Sequence, residues 1–418
     1  MKILLFISLW ILLLIGCTPP KESEKGAGLL VGVSKATINP PLGSFIAGDQ
    51  QNRVFTGILD SLYAKALMVY DGDKAIALVT VDCIGLLYPE LQKVREAVAQ
   101  MPFDIPFSPE NIVISSTNTH SGPDVVGIWG KDYSQSGRDP EYMDFLVQTI
   151  SAQILEASKS LQPATARYAR AGFGESWVEN ICGEEIDREV TSIRFVNQEE
   201  KTVASLTNFA CHPTHLDAVS SEMSADYLAG FYRSMEKNWG GEHLFLQGAI
   251  GGWVQPKDKG DYQIALQRGS DLAETVINAH QKEMPLQSGR IFFSRKTILF
   301  PVENEAWKAL AAGGIFDRNI GEMVESEVVW FRIGEATFAT HPGESTPFHS
   351  LETKKLMPEG PTFVLGLGQD ALGYIVKPTY FEDPTLPHAE YLTRTSLGKN
   401  TAATMMQAIS ELSQTTKK

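Results

Sequence analysis

Most apolar stretches of this chain are four to eight residues long and bounded by turn residues, which is strand length rather than helix length. Strands are predicted at residues 29–33, 112–114, 164–169, 190–195, 203–209, 244–246, 290–302 and 362–367. Residues 66–70 and 75–81 flank Asp71-Gly72-Asp73, and residues 328–333 and 336–340 flank Gly334-Glu335, so each pair predicts a hairpin. Residues 75–81 are apolar on both faces, as in a central strand. Helical spacing takes over at 89–101, with Leu91, Val94 and Val98 on one side. Asp139-Pro140 reads as a cap and first-turn proline for a helix to 161, whose apolar positions include Phe145, Ile150, Ile154 and Ala157. Further helices are expected from Ser224, with Asp226 in the first turn, at 261–281 and at about 398–412. Strands and helices interleave, and the hairpins exclude a purely parallel sheet. The fold class is therefore α/β, with mixed β-sheets and flanking helices in a single large domain.

Four of the predicted strands run into polar corners. Residues 112–114 lead to Asn118 and His120, with Gly122-Pro123 forcing the turn beyond. Residues 203–209 lead to His212 and His215, the second hairpin ends at His341 and Glu344, and residues 362–367 precede Tyr374. In α/β proteins such strand ends hold ligands. Nitrogen and oxygen donors from separate corners would suit Zn²⁺, and an open fourth position could activate water. Spacing alone leaves the alternative open, since eight histidines in 418 residues place some near strand ends by chance. By the same token Glu344 could cap a helix through Leu351, and Tyr374 could be a half-buried aromatic.

Composition narrows the partners. An apolar content of 43% with 21% charged residues is that of a packed globular protein. A net charge of −14 argues against nucleic acid, which needs a basic surface. Lys2 precedes the apolar run 3–15, the layout of a secretory signal, and the run is shorter than the ~20 residues of a membrane-spanning helix. Leu14-Ile15-Gly16-Cys17 resembles the bacterial lipobox. Residues 1–16 are then a signal peptide and 17–28 a tether, with the chain lipid-anchored at Cys17 in the bacterial cell envelope, on the periplasmic or outer surface. Cys83, Cys182 and Cys211 remain, with no zinc-ribbon spacing; Cys83 and Cys211 read as buried small hydrophobes.

Thr119-His120-Ser121-Gly122-Pro123, Asn208-Phe209-Ala210-Cys211-His212-Pro213-Thr214 and Pro342-Gly343-Glu344 resemble, in order, three signatures of the neutral non-lysosomal ceramidase family. Asp82 and Ser224-Ala225-Asp226-Tyr227 lie in further similar stretches, and the likeness runs roughly from Leu29 to Gly398. The resemblance makes 29–418 the ceramidase-like catalytic domain, without the family's C-terminal immunoglobulin-like domain. It implies a zinc-dependent amide hydrolase of the N-acylsphingosine type. The family's zinc is held by two His, a Glu and a Tyr; His212, Glu344 and Tyr374 match three of them, and Tyr391 lies near the expected second tyrosine of the site.

The departures are specific. The family reads Thr-His-Thr-His-Ser-Gly-Pro, with the first His on zinc and the second a base; here those positions are Asn118 and His120. An Asn carbonyl is a poorer zinc ligand than imidazole. The family's Gly-Asp-Val-Ser-Pro becomes Gly251-Gly252-Trp253-Val254-Gln255-Pro256, so its serine falls near Gln255. Its Asn-Arg-Arg stretch becomes Glu179-Asn180-Ile181-Cys182, which removes a candidate oxyanion donor. The expected metal set is His212, Glu344, Tyr374 and Asn118, with His120 and Tyr391 catalytic. The expected partners are a small acylated substrate, lipid or glycan, and a membrane through the N-terminal lipid. Three readings stay open: a hydrolase of an amide or ester bond for which ceramide is a poor substrate, a relative that binds a lipid or glycan without turnover, and a structural lipoprotein.

Overall fold

The computed structural model describes residues 28–415; the expected signal peptide, Cys17 and the expected tether up to residue 27 lie outside them. Nine strands form the larger sheet. Eight run in the spatial order Glu242–Gln247, Thr202–Phe209, Glu189–Asn197, Gln162–Gly172, Leu29–Thr37, Tyr63–Tyr70, Ala75–Val81 and Ile112–Ser116, and Met284–Pro285 pairs with Gln162–Gly172. The outermost pair at each end is parallel and the pairs between are antiparallel. A second sheet has the order Ile291–Pro301, Met323–Ile333, Ala336–His341 and Thr362–Gly366, its last pair parallel. The mixed α/β architecture follows the periodicity of the sequence.

Side-chain alternation along the strands explains the layering. In Met323–Ile333, Val329, Phe331 and Ile333 point into the core shared with the larger sheet, where they meet Leu67, Val69, Ile76 and Leu78. Val324, Val328 and Trp330 point the other way, toward Met405, Ile409 and Leu412 of the helix Thr401–Thr415. Between the sheets Phe331, Phe338 and Phe363 stack in register, with centroids 4.4 and 4.3 Å apart. Helix Pro140–Lys159 covers Leu29–Thr37 and Tyr63–Tyr70 on the outer face, and helices Tyr227–Trp239 and Tyr262–Ala279 pack on one another. No helix among the described residues is long and apolar enough to cross a membrane.

Local differences from the sequence reading have simple causes. Asp139 caps its helix through Glu141 N and Tyr142 N as expected, but Phe145 is 44% exposed. The buried stripe is Met143, Leu146, Val147, Ile150, Ile154 and Ala157, and Phe145 falls outside its 3.6-residue repeat. Asp226 stands just before its helix rather than in the first turn: with φ at +58° it is the cap of Tyr227–Trp239 and accepts from Tyr227 N at 2.7 Å. Glu344 does not cap the helix Pro347–Leu356, whose cap is Thr346. The Glu344–Ser345 pair instead joins Tyr374–Ile375 in a short parallel ladder. Cys83, Cys182 and Cys211 are free and buried.

Candidate active site

The corners come together because each follows the C-terminal end of a strand in a parallel pair: Ile112–Ser116, Thr202–Phe209, Glu242–Gln247, Ala336–His341 and Thr362–Gly366. The bridge between Ser115 and Gly368 and the bonds from Asn208 to the backbone of Leu246 and Val364 tie the two sheets at that end. A cleft of about 920 Å³ opens there, and His120, His212, Glu344, Tyr374 and Tyr391 all line it.

Glu344 and Tyr374 are direct register partners, so the ladder itself brings the carboxylate to the phenol, which donates a hydrogen bond to it. His212 is fixed from the backbone: its N and its Nδ1 both donate to the Val254 carbonyl, at 2.9 and 2.8 Å. A carbonyl oxygen only accepts, so Nδ1 carries the proton. In the neutral ring Nε2 is then a lone pair, and it lies 3.0 Å from Glu344 Oε2. Two acceptors face one another there unless a proton or a cation sits between them. Burial opposes the charge of Glu344, but the hydrogen bond and charge of His212, with His120 and Tyr374, hold its pKa below the ordinary carboxylate value. Burial pushes the Tyr374 phenol well above 10, and Glu344 and Tyr391 add to this. The imidazole nitrogen, its far side held by a carbonyl, and the carboxylate are donor types that zinc accepts, and the Tyr374 phenol lies beside them.

Asn118 stands differently. The chain leaves the strand at Ser116, and Asn118 adopts φ +66° and is fully buried. Its Nδ2 donates to Ile84 O at 2.7 Å, which leaves Oδ1 buried with no hydrogen-bond partner. It is not among the residues lining the cleft, whereas His120, two positions on, is. His120 Nδ1 donates to Asp217 Oδ1 at 3.1 Å, and its ring lies edge-on to His212 with centroids 5.7 Å apart. Burial works against the charge of Asp217, but His120, Lys259 and Arg53 hold its pKa down. Among the described residues no group of three or more His, Cys, Asp or Glu could hold a metal ion. The ligand set expected from sequence has only two such residues, His212 and Glu344.

Tyr391 stacks on Trp253 with centroids 4.6 Å apart, and burial, then Glu344, pushes its phenol up to about 12. Trp253 itself is held at φ +58°, a costly conformation for an aromatic residue. The segments that depart from the family motifs are neighbours: Val178–Asn180 pairs with Val254–Pro256, Gln255 is the register partner of Glu179, and their side chains hydrogen-bond at 3.3 Å. Lys259 Nζ donates to Gln255 Oε1 at 2.9 Å. Trp129, Trp307, Leu310 and Phe316 also line the cleft.

His215 is buried on Asp226 at 2.9 Å, and His341 is held between Ser345 and Thr353; neither lines the cleft. Asp124 is also off the cleft and ties its own loop through Val126 N, Gly127 N and Trp129 N. Asp217, Trp253, Lys259 and the helix Glu305–Ala312, which carries Trp307, escaped the sequence reading. No local pattern marks them, because each reaches the cleft from a turn or a short helix.

The family profile for neutral/alkaline non-lysosomal ceramidase, N-terminal, matches residues 30–263. The chain is 26% identical over 250 residues to neutral ceramidase of Oryza sativa subsp. japonica, covering 54% of this chain and 31% of that protein. It is 26% identical over 254 residues to neutral ceramidase 1 of Arabidopsis thaliana, covering 55% and 31%. The chain thus spans about a third of the length of these curated relatives. Among solved structures, neutral ceramidase from Pseudomonas aeruginosa superposes with a TM-score of 0.75 at 15% identity, covering 93% of this chain and 74% of that one. A ceramidase complexed with C2 gives 0.74 at 14%, covering 94% and 75%. At such identities these two likenesses establish the fold.

Proposed function

The chain belongs to the neutral/alkaline non-lysosomal ceramidase family, and from that premise we propose that it is a zinc-dependent hydrolase of an acylated lipid or related amide, for which ceramide is a poor substrate. The observation that carries this reading is the meeting of His212, Glu344 and Tyr374 in one cleft, with Nε2 of His212 facing a carboxylate across 3.0 Å. These three residues would hold the metal, with Asn118 or His120 as the fourth donor. Zinc, when bound, supplies a Lewis acid for the acyl carbonyl and a water of lowered pKa.

The protein's own groups do the rest. With Asn118 as the fourth donor, His120, with Nδ1 on Asp217, has Nε2 available to take a proton from the attacking water and return it to the leaving amine. Tyr391, kept protonated near neutral pH, can donate a hydrogen bond to the acyl oxygen as negative charge develops on it. The wall of Trp129, Trp307, Leu310 and Phe316 offers apolar surface to an acyl chain. Two observations argue against ceramide: the rebuilt Glu179–Gln255 wall, and the lack of the family's serine and arginine pair. The lipobox-like Leu14 to Cys17 supports a lipid anchor at the envelope surface, and the likeness along 29–398 supports one catalytic unit from Leu29 onward.

The test is a panel of N-acyl and O-acyl compounds including ceramide, assayed with added zinc and with chelator. Hydrolysis should need zinc, fail in Glu344→Ala, and be slower on ceramide than on the best amide. Bound zinc without turnover of any member would favour ligand binding, which the Asn118 position supports. No zinc uptake at all would end the hydrolase reading.

A further inference from the structure

The larger sheet curls until its edge strand Glu242–Gln247 packs back against Leu29–Thr37, Tyr63–Tyr70 and Ala75–Val81. Lys65 lies in that seam and is 3% exposed. Its Nζ donates to His243 O at 2.9 Å and sits 3.3 Å from the centroid of Tyr232. The ring face attracts the cation, while the Tyr232 hydroxyl donates to Asp82 on its other side at 3.4 Å. An ammonium has three N–H groups, and only one meets a hydrogen-bond acceptor. Among the described residues Lys65 forms no ion pair; Asp82 and Glu242 act on it at longer range. A buried charge without a partner costs several kcal/mol.

Lys65 and His243 both line a cavity of about 170 Å³. Of the other charged groups there, Glu236 is exposed to solvent and the buried or half-buried ones are engaged. Lys35 pairs with Glu242 at 2.7 Å, and Asp60 accepts from Ser224, Ala225 and Tyr262. His243 is 2% exposed; its Nδ1 bonds Ser205 Oγ at 2.8 Å, but Nε2 is buried without a partner. The Gly240 carbonyl lies near that ring without completing a hydrogen bond to Nε2. The nearby Gly240 carbonyl can only accept, which favours the ring proton on Nε2 and Ser205 Oγ as the donor to Nδ1. The cavity then presents spare donors from two buried side chains.

We propose that this cavity binds a small oxyanion, of phosphate or acetate size, whose oxygens accept from Lys65 Nζ and His243 Nε2. Arg233 and Glu236, both exposed, also line it, so the entrance carries one charge of each sign. Burial pushes the Lys65 ammonium down to about 8, as expected of a cation short of acceptors. The site is independent of the cleft and of the hydrolase reading.

The test is calorimetric titration of the full chain with inorganic phosphate and, separately, acetate at pH 6.5 and 9.5. The charged groups facing Lys65 are Lys35, Asp82, Glu236 and Glu242, with Asp60 and Arg233 on the cavity lining and Tyr232 and His243 beside it; Lys65, at about 8, changes charge between these two pH values. Saturable binding of at least one anion is expected at pH 6.5, at least tenfold weaker at pH 9.5, and absent in Lys65→Met. No saturable binding at pH 6.5, or equal binding by Lys65→Met, overturns the proposal. If Lys65→Met fails to fold, the wild-type pH comparison decides, and equal affinity at the two pH values overturns it.

Discussion

Asn118 is the residue on which the proposed metal chemistry turns. Its amide nitrogen is spent on Ile84 O and its oxygen has no partner, so the position offers a neutral carbonyl where the family has imidazole. Asn118→His should therefore tighten zinc binding at least tenfold in a chelator-competition titration, while His212→Ala should lose the metal. Unchanged affinity in Asn118→His would move the fourth donor to His120. His212, Glu344 and Tyr374 were legible because proline and glycine neighbours make a recognisable motif around each. Asp217 and Trp253 were not, since a turn aspartate and a left-handed tryptophan gain meaning only from what they touch, His120 and Tyr391. Lys65 gives a second prediction at this scale. Its folded pKa, about 8, lies below the ordinary 10.5, so its contribution to stability is full above about 10.5 and is lost as pH falls toward 8. Urea unfolding should show the protein gaining up to roughly 2–3 kcal/mol from this group between pH 8 and 10.5, and the gain should vanish in Lys65→Met. A wild-type profile flat over that window would refute the assignment.

At the scale of elements, short apolar runs bounded by turn residues located the long strands, because a strand buried on both faces in a layered fold reads as a near-continuous apolar run. The two-residue ladder of Glu344–Ser345 with Tyr374–Ile375 was invisible. So was the pairing of Val178–Asn180 with Val254–Pro256. Segments that short carry no periodicity, and their partners lie far away in sequence. The inter-sheet stack of Phe331, Phe338 and Phe363 is the element-level feature with the clearest energetic consequence. Phe338 is fully buried at its centre, so Phe338→Ala should cost about 3–5 kcal/mol in a denaturant titration. Zinc affinity of the folded fraction should not change, because the cleft lies beyond the strand ends. A loss under 1 kcal/mol would mean that the sheets close over the gap.

For the whole molecule, strand ends from two sheets converge on one cleft, and a lipid on Cys17, if the lipobox-like stretch is used, would set where that cleft works. The first strand begins at Leu29, paired with Ala164. Residues 18–28, fully extended, reach roughly 40 Å from Cys17. That span would keep the cleft within reach of acylated molecules at a membrane surface, and it offsets the weak attraction of an acidic chain, net −14, for anionic lipid. Lipid on Cys17 should put the wild-type protein in the detergent phase of a Triton X-114 partition. Cys17→Ser should move it to the aqueous phase or leave an unprocessed precursor, with a far-UV spectrum and zinc content in the soluble form equal to the wild type's. Hydrolysis of a soluble acyl substrate should be unaffected, while hydrolysis of the same acyl group presented in vesicles should fall several-fold as the local concentration is lost. A wild-type protein that partitions to water and takes up no labelled fatty acid would show that Leu14 to Cys17 is not a lipidation signal.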